Sequence, residues 1–384
     1  MEDSVRQRNL ARLVRSVHLG GPRSRSALTE ETGLNRSTIA DLVTELVDTG
    51  IVREEAPTSA NSERRVGRPS PIVSAHPGVV AIAANPEVDA VEIAAVGLDR
   101  RIVVRERHEQ SGLISPEATA RLIADRVAAW RQDVLADARI VGVGLAVPGL
   151  VRAADGLVRR APHLDWTDAP LRDLVSDAVH LPVAIDNDAS LGALAEHLFG
   201  AAHGIEDVVY LNGGASGIGG GVIVHGIPVT GARGYAGEFG QNRPGIADGA
   251  DRRDADGVLE DEVSRARLLA VLRLPGADDA GLRAALTASD DPAVVAELSR
   301  QRRILATALA NAVNVLNPEV IVLGGFLAMI AEFSGSDLVD TVRAQAMSAN
   351  GEGLRILSAA LAGDRLLIGA AEAAFAPLLR DPVG

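Results

Sequence analysis

The chain has 384 residues, of which 47% are hydrophobic and only 2% are aromatic. This length exceeds the roughly 100–200 residues of a single domain and predicts two or three domains with aliphatic cores. The absence of cysteine excludes a disulfide framework and a thiolate zinc site. No apolar run approaches the roughly 20 residues of a membrane helix, and the first residues, MEDSVRQRNL, lack a secretory signal pattern. We therefore expect a cytoplasmic protein without a membrane partner.

Charge is distributed unevenly along the chain. The net charge is −13, and all 38 basic residues are arginine. Residues 1–70 hold 11 Arg and 10 acidic residues, whereas the rest of the chain holds 27 Arg and 41 acidic residues. The acidity that would repel nucleic acid therefore belongs to the C-terminal part. Arginine is also the basic residue better suited to bidentate contacts with phosphates and bases.

The first predicted elements are helices. VRQRNLARLVRSV has apolar residues at helical spacing. Residues 24–52 then predict two short helices joined by a tight turn at Gly33, with Ser24 or Ser26 capping the first. This is the layout of a helix-turn-helix, in which the second helix lies in the major groove. The alternative is an ordinary pair of antiparallel helices.

The predicted DNA contacts lie at the start of this second helix. Arg36, Ser37 and Thr38 occupy its first turn and would face base edges. Asn35 either caps the helix or touches a phosphate. We also assign Arg25, on the first helix, to the DNA-binding set.

A polar loop separates two short runs, IVREE and PIVSA, that resemble the strands of a winged helix. The loop contains Arg64, Arg65 and Arg68. These arginines surround a glycine and a proline, a compact shape that would enter the minor groove, although a solvated linker is the alternative. We therefore predict that residues 1–71 form a winged helix-turn-helix domain that binds double-stranded operator DNA.

Beyond residue 78, strand-like and helix-like runs alternate. The predicted strands are VVAIAA, VEIAAVGL, RIVVRE, ARIVGVGLAVPGLV, LPVAIDND, DVVYLNGG, SGIGGGVIVHG and VIVLGG. Predicted helices include SPEATARLIADRVAAWRQDVL and SLGALAEHLFG. Such alternation predicts an α/β fold in which ligands bind at the ends of strands.

Five ordered motifs carry a resemblance to a known family. AVPGLV, DNDA, SGIGGG, GYAGEFGQ and NPEVIVLGG resemble those of the ROK family, which groups sugar-responsive repressors with sugar kinases. The resemblance runs from Val80 to the C-terminus. It implies a two-lobed, actin-like ATPase (sugar kinase-like) fold after the winged helix, with lobes over residues 72–190 and 191–384.

Phosphoryl transfer requires a phosphate cradle, a metal and a base. ROK kinases carry an Asp-x-Gly-Gly-Thr loop on their first strand, but the corresponding run here, AIAANPEV, keeps no aspartate, paired glycine or threonine. SGIGGG remains and either admits an anion or forms a hairpin-like connection. We therefore expect no nucleotide cofactor and no catalytic residue.

The resemblance also implies where a sugar binds. Asp188 matches the family's base and would accept a sugar hydroxyl, with Asn187 beside it. Capping of the following helix is the alternative role for both. Glu238, Gln241 and Glu260 complete the predicted sugar site, and Gln241 stands where the family has a histidine.

The family's zinc segment, Cys-x-Cys-Gly-x-x-Gly-Cys-x-Glu, aligns with DRRDADGVLE. This alignment places Asp251, Arg253 and Val258 at the cysteine positions. Arginine and valine cannot bind zinc, so we predict no metal. Either other contacts hold the loop, such as Arg252 or Arg253 with a nearby Asp side chain, or the loop is mobile.

Together these features predict a sugar-responsive transcriptional regulator, a repressor of carbohydrate-related genes, that acts as a homodimer or homotetramer. A sugar or sugar derivative that prefers one interdomain arrangement would change the separation of two winged helices and hence DNA affinity. The half-sites would lie about one helical turn, or a multiple of it, apart. Two alternatives stay open, namely a sugar kinase and a constitutive DNA-binding protein without a sugar signal.

Overall fold

The computed structural model describes residues 5–56, 70–333 and 337–384. The helices are α1 Val5–Gly20, α2 Arg25–Thr32, α3 Arg36–Asp48, α4 Pro116–Arg131, α5 Leu171–Val179, α6 Asp188–Phe199, α7 Leu259–Glu262, α8 Arg265–Leu272, α9 Asp279–Ala288, α10 Pro292–Leu316, α11 Phe326–Glu332, α12 Leu338–Gln345, α13 Ser348–Gly351 and α14 Arg365–Arg380. The strands are β1 Arg23–Ser24, β2 Val52–Glu55, β3 Ile72–Ala75, β4 Val79–Pro86, β5 Ala90–Gly97, β6 Ile102–Glu109, β7 Arg139–Val147, β8 Leu150–Arg152, β9 Leu157–Ala161, β10 Trp166–Ala169, β11 Val183–Asn187, β12 Val208–Gly214, β13 Gly217–Val224, β14 Ile227–Pro228, β15 Val320–Gly325 and β16 Arg355–Ser358. Among the described helices, none is both long enough and apolar enough to cross a bilayer.

The chain divides into two compact units, described here separately. The first unit comprises residues 1–147, 155–185 and 370–384, and the second comprises residues 148–154 and 186–369. The first unit thus contains the predicted DNA-binding domain, most of the predicted first lobe and the C-terminal part of α14.

The N-terminal head of the first unit is a winged helix-turn-helix. It contains three helices and an antiparallel sheet in the order β1-β3-β2, in which β1 lies between α1 and α2 and the other two strands follow α3. The Ser24 hydroxyl caps α2 by accepting from the Ala27 amide at 3.1 Å, and Gly33 ends this helix at φ 69°. One face of α3 is apolar and buried, and it includes Ile39 and Leu42. Because β3 belongs to this sheet, the head extends past residue 71, where we had predicted its end.

The body of the first unit is a five-stranded mixed sheet in the order β11-β7-β4-β5-β6. β4 pairs in parallel with β7 and antiparallel with β5. Helix α14 packs closely on this sheet, since a side chain at Gly144 of β7 would overlap the Ala370 backbone. The long apolar runs of β4 and β7 are buried because helices cover such strands.

The second unit has its own five-stranded sheet, in the order β14-β13-β12-β15-β16. β12 lies parallel to β15 and antiparallel to β13. Its main core joins strand residues such as Val209 and Ile321 to helix residues such as Leu309 and Leu327. Each unit therefore has the sheet-and-helix construction expected for one lobe of an actin-like fold.

Candidate functional site

The first turn of α3 presents an exposed polar surface. Asn35 caps this helix, because its Oδ1 accepts from the Thr38 amide at 2.9 Å and from the Ser37 hydroxyl at 2.7 Å. Arg36 and Ser37 are exposed, and Thr38 is half-buried. The structure thus assigns Asn35 the capping role and leaves the Arg36 side chain on the outer surface of the head. Contact of these residues with DNA remains a prediction.

Arg25 lies at the start of α2 and is engaged within the head. Its Nη2 donates to Glu54 Oε2 of β2 at 2.7 Å, and its Nε donates to the other Glu54 oxygen. A phosphate contact by Arg25 would compete with this carboxylate, and it remains a prediction. Arg64, Arg65 and Arg68 lie outside the described residues, so the predicted wing contacts remain predictions as well.

In the second unit, the turn from β11 into α6 places Asn187 and Asp188. The Asn187 side chain caps α6, accepting from the Ser190 amide at 3.0 Å, and donates to the Gly149 carbonyl at 3.0 Å. Asp188 is the first residue of α6 and is half-buried. Its Oδ1 accepts from the Ala189 amide at 2.8 Å. Asn187 therefore fixes the local backbone, while Asp188 supplies the carboxylate.

Three further predicted residues meet around the β12–β13 hairpin. Glu238 precedes a short 3-10 turn that ends at Gln241, and Glu260 lies in α7. One Glu260 oxygen accepts from the Ile218 amide at 3.2 Å, and the other accepts from the Gln241 side-chain amide. The structure therefore brings Gln241 and Glu260 into direct contact.

Carboxylates dominate the electrostatics of this site. Loss of solvent around its carboxyl raises the pKa of Glu238, and the charges of Asp188 and Glu260 raise it further. The residue as a whole is exposed, so the carboxyl is desolvated by its immediate neighbours rather than by deep burial. Mutually repelling carboxylates are stabilised by hydroxyl donors, which neutral sugars carry in abundance. We call Asp188, Glu238, Gln241 and Glu260 the carboxylate site.

The residues aligned with the family's zinc ligands do not fit zinc. The Asp251 carboxylate is bound by Arg303, with Nε at 3.0 Å and Nη2 at 2.7 Å. Val258 is a buried apolar residue, and the Gln241 amide is bonded to Glu260. Within the described parts of the chain, no group of three His, Cys, Asp or Glu side chains is arranged to hold a metal.

Buried ion pairs hold the loop in place of a metal. Arg300 of α10 pairs with Glu262 of α7 at 2.9 Å, and their side chains are 2% and 0% exposed. The Glu262 carboxylate also accepts from the backbone amides of Arg253 and Asp254. The prediction that Arg252 or Arg253 pairs with an Asp side chain was therefore wrong. Arg300 and Glu262 make the contacts that hold the loop. No sequence signal distinguished Arg300 from Arg302 and Arg303, its neighbours on the same helix.

The segment aligned with the kinases' first phosphate loop does not fit a nucleotide phosphate. Ala81 to Ala84 are fully buried in β4. The turn that follows β4 carries Glu87 and Asp89, and their carboxylates pair with Arg107 at 3.1 and 2.8 Å. Carboxylates at this turn would repel a phosphate.

The second glycine-rich segment forms a hairpin. Gly214 pairs with Gly217 across the turn between β12 and β13. A Cβ at Gly219 would lie 2.6 Å from the Ala189 Cβ, and one at Gly221 would lie 2.5 Å from the Ala193 Cβ. These two glycines therefore allow α6, the helix that carries Asp188, to lie close against β13.

Comparison with known proteins relates the whole chain to one family. Residues 87–376 match the ROK family model. The chain is 26% identical over 378 residues to the xylose repressor of Caldicellulosiruptor bescii, covering 94% of this chain and 93% of that protein. It is 28% identical over 257 residues to the glucokinase of Halalkalibacterium halodurans, covering 60% of this chain and 74% of that protein.

Solved structures agree with this relationship. The crystal structure of a ROK family transcriptional regulator, a homolog of the E. coli MLC protein, superimposes with a TM-score of 0.78 at 23% identity, covering 99% of this chain and 98% of that one. A ROK glucokinase from Streptomyces griseus in complex with glucose and AMPPNP superimposes with a TM-score of 0.57 at 26% identity, covering 76% and 98%. The fold expected from the motifs is thereby confirmed, and the chain belongs to the ROK family.

Proposed function

We propose that this protein is a sugar-responsive transcriptional regulator that represses carbohydrate-related genes by binding operator DNA. The winged helix at its N-terminus is the observation that carries this proposal. The alignment with a xylose repressor extends over 94% of the chain, whereas the alignment with a glucokinase extends over 60%. A DNA-binding head on a ROK body is the arrangement that a repressor requires.

The proposed DNA contact centres on α3. Its apolar side is buried in the head, so its first turn is held rigidly with Arg36 and Ser37 exposed. An arginine that makes a bidentate contact to guanine contributes about 1–3 kcal/mol of discrimination against the wrong base. We propose that Arg36 makes such a contact.

The proposed effector is a neutral sugar bound at the carboxylate site. Asp188, Glu238 and Glu260 are hydrogen-bond acceptors when ionised, and a sugar offers several hydroxyl donors. The names of the relatives suggest D-xylose and D-glucose as the first sugars to test. The sugar would hydrogen-bond through the same type of carboxylate that serves as a base in a kinase.

We infer that the chain acts as a binder and not as a kinase. The support is the run of residues 81–88, aligned with the kinases' phosphate loop, where Ala81 to Ala84 are buried in β4 and Glu87 stands in the turn that follows. Transfer of the ATP γ-phosphate to either sugar would refute this inference. We expect the labelled phosphate of ATP to stay unincorporated in a direct transfer assay with the full chain.

Sugar and DNA would be coupled through a homodimer or homotetramer that presents two winged helices. If a sugar weakens operator affinity by some factor, operator DNA must weaken sugar affinity by the same factor. The mechanism is therefore checked by comparing two measurements, the effect of sugar on operator affinity and the effect of operator DNA on sugar affinity.

The test is equilibrium binding of the full chain to DNA from upstream of its own gene, at fixed salt, with and without D-xylose or D-glucose. Arg36→Ala should weaken the free energy of binding to the selected site by about 1–3 kcal/mol and that of binding to random DNA by much less. Arg131→Ala, which removes an exposed arginine of α4, is the matched control and should change neither.

Each result decides between the alternatives. Selective binding that one sugar weakens supports the proposal. Selective binding that no sugar alters identifies a constitutive DNA-binding protein. Absence of selective DNA binding, together with phosphate transfer from ATP, would establish the kinase instead.

A further inference from the structure

One buried guanidinium holds the loop of residues 251–258 and helix α7 against α10. Arg300 Nη1 donates to the Asp251 carbonyl at 2.8 Å and to Glu262 Oε2 at 2.9 Å. Its Nη2 donates to the Glu262 carbonyl at 2.6 Å and to Glu297 Oε1 at 2.7 Å, and its Nε donates to Glu297 Oε2 at 2.9 Å. All five N–H donors of the guanidinium are therefore used.

The carboxylates around Arg300 are themselves fixed. Glu262 is fully buried and accepts from the Arg253 and Asp254 amides. Burial raises the pKa of Glu297, but hydrogen bonds from Arg300 and Gln301 outweigh this effect and lower it. With Arg300, these two carboxylates form a buried cluster with a net charge of −1, which we call the ionic clamp.

The ionic clamp and the carboxylate site share helix α7. Glu262 is the last residue of α7, and Glu260 is two residues before it in the same four-residue helix. The Glu260 carboxylate fits between Gly217 and Gly240, where a Cβ would lie 2.5 and 2.7 Å from its Oε2. There it accepts from the Ile218 amide. A small displacement of α7 would break this fit.

We propose that Arg300 is a positioning residue of the sugar site and that the ionic clamp sets the place of Glu260 and Gln241 without a metal. This proposal rests on the proposed sugar-binding function, although its first readout does not. Arginine is required because lysine has only three donors and lacks the planar fork that reaches Asp251, Glu262 and Glu297 together.

The first experiment measures amide hydrogen exchange at Ile218, Arg253 and Asp254 in the full chain, with a metal chelator present throughout. Arg300→Met keeps much of the volume and removes every donor. It should accelerate exchange at Ile218 by about tenfold or more, because that amide is protected by Glu260. Arg300→Lys should be intermediate. Arg283→Met, which breaks an exposed ion pair with Glu332 elsewhere in the second unit, should leave Ile218 unchanged.

A second variant guards against loss of the fold. Arg300→Met alone leaves two buried carboxylates without a counter-charge. The double variant Arg300→Met/Glu297→Gln keeps the net clamp charge at −1. We expect it to remain folded, with the Ile218 amide still deprotected.

The second experiment titrates the same variants with D-xylose and D-glucose, alongside DNA binding. Arg300→Met/Glu297→Gln should raise the sugar Kd by about tenfold, which is typical for loss of a group that orients a binding residue, and should leave affinity for DNA without sugar unchanged. Faster exchange at Arg253 and Asp254 with wild-type protection at Ile218 would overturn the proposal. If the wild-type chain binds neither sugar, the proposed function fails, and exchange at Ile218 still decides the role of Arg300.

Discussion

Replacement of Glu372 by glutamine tests an ion pair that joins the head to the C-terminal helix. His18 of α1 and Glu372 of α14 have side chains 0% and 5% exposed. His18 Nδ1 lies 2.7 Å from the Leu98 carbonyl oxygen, and Nε2 lies 3.0 Å from both Glu372 oxygens. The Leu98 carbonyl and an ionised Glu372 carboxylate can only accept, so beside an ionised Glu372 both ring nitrogens carry protons. The geometry therefore favours a buried imidazolium.

The pKa of His18 follows from these contacts. Burial lowers it, but the hydrogen bond and charge of Glu372, together with the Leu98 carbonyl, outweigh burial, and Arg100 opposes them weakly. The pKa of folded His18 is thus above its ordinary value. A raised histidine pKa contributes stability that is complete below the unfolded pKa and is lost as pH rises through the folded pKa.

The stability that a protonated His18 contributes depends on the hydrogen bonds that it donates. Neutral imidazole has one N–H for two buried acceptors, so deprotonation leaves one acceptor without a partner at a cost of about 1–3 kcal/mol. Glu372→Gln keeps the shape and removes the charge, which weakens the charge-assisted bond. We expect it to lower the free energy of unfolding by about 1–3 kcal/mol below the ordinary histidine pKa. At higher pH the difference from wild type should shrink.

The assay is urea unfolding of the full chain followed from about pH 6 to about pH 9, the range over which a histidine with a raised pKa loses its proton. His225→Gln is the control, because His225 belongs to the second unit and its side chain is 81% exposed. Its free energy of unfolding should change with pH in the same way as that of the wild type. A difference between wild type and Glu372→Gln that stays constant or widens with pH would refute a protonated His18.

Two further predictions concern the packing of α6 on β13 and the carboxylate site. Gly221→Val should destabilise the second unit by about 1–3 kcal/mol, because its side chain would collide with Ala193. Thermal unfolding checks this, and the control is Gly245→Val, at a position of the second unit with open space and no left-handed backbone conformation. An unchanged midpoint for Gly221→Val would contradict the close packing of α6. Because desolvation of its carboxyl and the neighbouring carboxylates raise the pKa of Glu238, Glu238 should take up a proton at a higher pH than an ordinary glutamate. Sugar affinity should therefore begin to fall at that higher pH as the pH is lowered. Isothermal titration at several pH values measures this, and Glu238→Gln should flatten that part of the profile.

Local sequence determined the head to a large extent. The helical spacing of apolar residues, the turn at Gly33 and the capping residue Asn35 act over a few neighbouring residues, so a reader of the sequence can find them. The same holds for the ordered motifs that resemble the ROK family, since each occupies a strand end or a turn. The departures from the family's motifs at residues 81–88 and 251–260 are local in the same way, and the predicted absence of a phosphate loop and of a zinc site rests on them.

Tertiary structure decided the rest, because it depends on which distant segments meet. Nothing local indicates that residues 370–384 join the first unit. Arg300 and Arg303 are one helical turn apart and carry the same side chain, yet one is 2% exposed and the other 58%. Burial is set by the partner that packs on each face of α10. Arg300 is surrounded by carboxylates and shielded from water because the fold packs α7 and the loop of residues 251–258 against its side of α10.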